Sequence, residues 1–166
     1  IHTRLGGSEM CIRDSLYTAS MTLIERSALL PHSAEQIFDL VADIERYPEF
    51  LEGCVAAHIL ERTEHSVTAT LRLSKGGISH GFTTHNTLKR PECMELKLIE
   101  GPFEAFSGHW VFRPLGEGAC KVSLRLQFEL AGGLASVAIG KLFDKVALDL
   151  VDAVVRRASQ KLEPAR

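Results

Sequence analysis

No run of about 18 apolar residues occurs in this chain, so a membrane-spanning helix is not expected. Charge of one sign is also lacking. Nineteen Lys and Arg stand against 21 Asp and Glu, a formal net charge of −2. That balance argues against the broad basic face that nucleic-acid binding normally needs, though not against a local basic patch, and no DNA partner is expected. Cysteine is scarce: Cys11, Cys54, Cys93 and Cys120, none of them in a CxxC pair. No Cys/His group has the spacing of zinc ligands, so no metal is expected, and the thiols read as reduced residues of a cytoplasmic protein. Catalytic patterns are missing too. There is no Ser/His/Asp arrangement, no HExxH and no phosphate-binding glycine loop. The seven histidines read as surface or structural groups. His80 and His85 fall on opposite sides of one strand, and His109 points away from Trp110. No catalytic residue is assigned, and a non-enzymatic protein is expected.

What is present fits one globular domain. The 166 residues are 45% apolar and 24% charged, ordinary values for a chain that can bury a substantial core. Residues 1–20, IHTRLGGSEMCIRDSLYTAS, show neither a periodic apolar face nor a signal-peptide core. They read as translated adaptor sequence, expected to be a non-native or disordered extension before a domain over 21–166.

Residues 22–30 (TLIERSALL) read as a first strand. Ser33 and Gln36 form a capping box for a helix over SAEQIFDLVAD, with Ile37, Leu40 and Val41 on one side. A second short helix is expected in IERYPEFLEG, with Pro48 in its first turn and Gly53 at its end. The period then changes from 3.6 to 2. About six strands follow, joined by short Gly or Pro turns, in an antiparallel meander. The cleanest alternates Val122, Leu124, Leu126, Phe128 and Leu130 with Lys121, Ser123, Arg125, Gln127 and Glu129. A long helix is expected from about Leu134 to Leu162, its apolar side carrying Phe143, Val146, Ala147, Leu150, Val151 and Val154 and widened by Leu142, Leu148 and Val155. Such a sheet must cover its apolar face, and only the last helix is large enough. The expected class is α+β: a helix-grip fold, a curved antiparallel sheet of about six to seven strands around a long C-terminal helix.

Three ordered segments, LLPHSAEQIFDLVADIERYPEFLEGC (29–54), SKGGISHGFTTHNTL (74–88) and EGPFEAFSGHWVF (100–112), resemble a known family. It joins the bacterial RatA-type ribosome association toxins with the mitochondrial coenzyme-Q-binding proteins, within the START-like, polyketide-cyclase-like superfamily. The resemblance covers about Leu23 to Leu162. Two positions depart from the family pattern: Glu52 where Pro is expected, and His85 where Arg is expected. The resemblance implies a START-like domain and two functions. One is non-enzymatic binding of ubiquinone or a similar isoprenoid lipid in support of respiration. The alternative is a toxin that binds the large ribosomal subunit and blocks subunit association. A cyclase or dehydratase is a third, less favoured outcome.

The residues themselves suggest where a hydrophobic ligand would sit. Lipophilic cavities are mostly apolar with a few placed polar groups. The inward candidates are Leu71, Leu73, Phe82, Leu96, Leu98, Phe106, Trp110, Phe112, Leu124, Leu126 and Phe128 on strands, with Phe143, Val146, Ala147, Leu150 and Val154 on the helix. Gly108 would leave a gap beside Trp110 and Phe106. Thr84 and Asn86 share the inward side with Phe82 and could donate to a quinone head. The same alternation also describes an ordinary filled core. Tyr47, Phe50 and Leu51 are candidates for a lid, for contact with a membrane or partner, or for plain packing. Basic residues such as Lys75, Arg90, Arg113 and Arg157 are scattered and read as solvated surface. The expected location is the cytoplasm, peripheral to the inner membrane when the ligand is exchanged.

Overall fold

The computed structural model describes residues 21–132 and 135–162. The expectations for residues 1–20 and for a helix start at Leu134 lie outside the described residues. Strand β1 (Thr22–Leu30) leads into α1 (Ala34–Ala42), a 3₁₀ turn (Ile44–Arg46) and the single-turn α2 (Tyr47–Phe50). Six strands follow: β2 (Cys54–Arg62), β3 (Ser66–Lys75), β4 (Ile78–Lys89), β5 (Cys93–Glu100), β6 (Phe103–Pro114) and β7 (Cys120–Leu130). Helix α3 (Ala135–Lys161) closes the fold. The seven strands form one sheet in the order β1-β7-β6-β5-β4-β3-β2, with neighbours antiparallel. This is the expected helix-grip architecture.

Local chemistry explains the first turn. The Ser33 hydroxyl accepts from the Gln36 amide at 3.1 Å, and the Gln36 side chain accepts from the Ser33 amide at 2.9 Å. Two orphan N–H groups at the helix start are thereby satisfied. Gly53 ends the α2 region with φ +95°, a left-handed conformation open to glycine.

Of the strands after α2, β2 is the one that alternation in the sequence does not single out. Its register against β3 shifts between Cys54 and Ala56 and again between Ile59 and Glu61. Each bulge moves the inward positions by one residue and scrambles the period of two. Such bulges suit an edge strand, which they bend away from edge-to-edge pairing.

One face of the sheet is covered by α3 and α1. On α3, Phe143, Val146, Ala147, Val151 and Val154 are buried. Leu148 was expected to widen that apolar side but is 41% exposed. It lies in an outward groove with Lys141, Lys145 and Asp149, because the buried stripe is narrower than composition suggests. Two aromatic groups anchor the core. Trp110 stacks on Phe112 at 6.0 Å, and Phe112 meets Phe38 of α1 edge-on at 5.1 Å. Farther along, Phe143 lies 4.6 Å from Phe128, 4.9 Å from Phe103, 5.7 Å from Phe82 and 5.9 Å from Phe106. Burying one such ring is worth about 1.5–3 kcal/mol.

Candidate functional site

Helix α3 and the concave face bring the expected ligand-lining residues together. Leu73, Trp110, Phe112, Leu124, Leu126, Phe128, Phe143, Val146, Ala147 and Val154 are buried, and Leu71, Phe82, Leu96, Leu98, Phe106 and Leu150 pack half-buried against them. They make one continuous apolar body. Gly108 does not open a hollow there. A Cβ at that position would stand 2.7 Å from Leu126 Cδ2 and 3.3 Å from Leu96 Cβ, so its two cross-strand partners already fill the space. Gly53 is similar: its Cβ would stand 2.7 Å from Val146 Cγ2. These glycines allow close approach.

Thr84 and Asn86 are buried on the same side as Phe82, whose ring meets Phe143. Asn86 pairs across to Val67 and Leu96, and its Oδ1 is buried without a partner. A quinone presents carbonyl and ether acceptors, which suit an N–H or O–H donor and not this oxygen.

The lid candidates are tied down. Tyr47 and Leu51 are buried, and the Tyr47 hydroxyl donates to the Val41 carbonyl at 2.6 Å. Phe50 is half-buried beneath Arg157 of α3, whose guanidinium lies 5.2 Å from the ring centroid. Arg157 also donates to Glu49 at 2.7 Å. The Arg46 and Arg157 hydrogen bonds, in that order, hold the Glu49 carboxyl below its usual range.

The opposite, convex face is open and polar. Thr70 and Thr83 hydroxyls lie 2.7 Å apart, and Thr68 Oγ1 lies 2.8 Å from His85 Nδ1. Here the structure reveals what alternation missed. Gln127, read as a solvent-side residue, is only 6% exposed, and its Nε2 has no partner. Arg125 donates through Nη1 to Glu25, while its Nε is buried and unpartnered. Both sit on β7, an interior strand flanked by β1 and β6. A single strand's pattern does not report such burial. Two grooves run over this face. One, of about 300 Å³, is lined by Glu95, Lys97, Ser107, His109, Arg125 and Gln127. The other, of about 460 Å³, continues over Glu25, Ser27 and Ser123 and shares His109 and Arg125. His32, before α1, is buried with both ring nitrogens unpartnered; sequence reasoning gave it no role.

Cys54, Cys93 and Cys120 are free thiols. Burial pushes Cys54 up to about 11 and raises the other two, so none is an activated nucleophile. Among the described residues no cluster of three or more His, Cys, Asp or Glu could hold a metal ion. No described helix is long and apolar enough to cross a membrane.

Residues 30–155 match the family described as polyketide cyclase / dehydrase and lipid transport. The chain belongs to this family. Within it, the chain is similar to the ribosome association toxin RatA of Vibrio cholerae, 46% identical over 84% of this chain and 97% of that protein. The RatA of Pseudomonas aeruginosa is 47% identical over 84% and 96%. Among solved structures, the ZhuI aromatase/cyclase of a Streptomyces species superposes with a TM-score of 0.75, covering 86% of this chain and 96% of that one at 16% identity. That likeness shows the fold alone. Proteins named as a toxin and as an aromatase/cyclase thus share this fold, and fold by itself does not choose between such roles.

Proposed function

We propose that this protein works by binding: it associates with the large ribosomal subunit in the cytoplasm and keeps the subunits from joining. The observation that carries this reading is the similarity to RatA proteins over most of this chain. Inside, Phe143 stands in ring contact with Phe82, Phe103, Phe106 and Phe128, so at that point the protein's own side chains fill the space between α3 and the sheet. The buried polar groups that share Phe82's side of β4, Thr84 and Asn86, are not titratable and offer no general acid or base. The test is sedimentation of purified protein with separated ribosomal subunits under joining conditions. The protein should travel with the large subunit and deplete the joined ribosome peak. Protein left at the top of the gradient would contradict the proposal.

A second reading, carriage of ubiquinone or a similar isoprenoid lipid, draws on the lipid-transport description of the family. The ligand would have to part α3 from the sheet around Phe143. Organic extraction of protein purified without detergent, followed by mass spectrometry, tests it: a near-stoichiometric quinone supports carriage, and an empty protein removes it.

A further inference from the structure

Hydrogen-bond donors left unmatched inside a folded protein are rare and call for an explanation. Two of them lie side by side on the convex face, Nε of Arg125 and Nε2 of Gln127. Gln127 is more than nine-tenths buried, yet it lines the open groove over β5, β6 and β7. The strand register arranges the groove in two rows. Glu95, His109, Arg125 and Glu25 are cross-strand neighbours in one; Lys97, Ser107 and Gln127 are neighbours in the next.

We propose that this convex groove is a binding site for single-stranded RNA, taking one unstacked nucleotide at a time; the identification of that RNA as ribosomal rests on the function proposed above. The lining is mixed. Arg125, Lys97, Ser107 and Gln127 offer donors suited to phosphate oxygens and base carbonyls, and Glu95 offers an acceptor suited to an exocyclic amino group. His109 supplies a ring on which a base can stack. A duplex would need a uniformly basic surface, and the carboxylates of Glu95 and Glu25 in the same rows disfavour one. A single strand whose bases are splayed out can read such a lining edge by edge. The second groove shares His109 and Arg125, so the track continues across β7 towards β1 for the next nucleotide. None of these groups belongs to the concave interior, and the site does not require the interior to open.

The experiment uses the whole chain, a labelled short mixed-sequence single-stranded RNA, the same RNA as a duplex, and isolated large ribosomal subunits. Two variants are compared, Gln127→Leu and Lys97→Glu. Removing an unpartnered buried amide for an apolar group of similar size leaves stability nearly unchanged or higher, and Lys97 is exposed, so melting curves should match the parent protein. Each variant should bind single strand and subunits about tenfold more weakly, with a shallower salt dependence for Lys97→Glu. Subunit binding that is equally tight in the parent and in both variants overturns the groove and leaves the ribosome reading standing. Strand binding that both variants lose, in a protein that ignores subunits, supports the groove and removes the ribosome reading. Parent protein that binds neither RNA nor subunits overturns both.

Discussion

The two faces of the sheet are built from the same strands and treat their side chains in opposite ways. On the concave face every large side chain meets another: Trp110 lies on Phe112, Leu126 fills the space over Gly108, and Phe143 plugs four other rings. On the convex face hydroxyls and charges pair in short ladders, and two buried donors have nothing to bond. Packing energy is concentrated on the concave side, and the unmet donors lie on the convex side, while the concave side holds an unmet acceptor, Asn86 Oδ1. On the proposed reading, stability and recognition are separable, since residues one step apart on a strand serve different ends.

The most severe way to break that comparison is Phe143→Ala. The ring sits among four others, so its loss should cost about 3–5 kcal/mol in a denaturant titration. A cost well under that would mean the interior is looser than its ring contacts imply and could admit a ligand. A sharper probe uses two adjacent residues. Gly108→Ala pushes a methyl against Leu126 and should cost about 1–3 kcal/mol, whereas Ser107→Ala, exposed on the outer face, should stay within about 0.5 kcal/mol of the parent. Equal effects would erase the distinction between faces. The smallest effect concerns the α2–α3 latch. Arg157→Ala removes the cation over Phe50 and should cost about 1 kcal/mol. The Glu49 carboxyl is held below its ordinary range in the fold, so its share of stability is present above the ordinary carboxylate range and is lost as pH falls through the folded value. Melting curves of parent and variant should therefore draw together in acid.

Much of the frame was legible because it depends on local rules. The Ser33–Gln36 capping box, the alternation of β7 and the apolar stripe of α3 each follow from spacing along the chain. What could not be read depends on distances between elements. The bulges of β2 hide its period. Leu148 belongs to the apolar composition of α3 yet faces outward, because the helix's angle on the sheet decides which flank is covered. Gly108 looks like a gap in sequence, and only the reach of Leu126 and Leu96 reveals that it is filled. Gln127 carries every sign of a solvent position and is nonetheless buried. The residues expected to line a cavity pack into one apolar core, but alternation does not set the separation between α3 and the sheet, and separation is the difference between a cavity and a core.

On the proposed reading, this protein meets its partner with the convex face while its interior stays packed. Hydroxyl-radical footprinting of side chains, with and without large ribosomal subunits, tests it most directly. His109 should lose reactivity in the complex, while Phe50 beside the α2–α3 latch and Leu148 on the outer flank of α3 keep theirs. Protection of Phe50 and Leu148 with His109 unchanged would contradict it and move the contact to the helices.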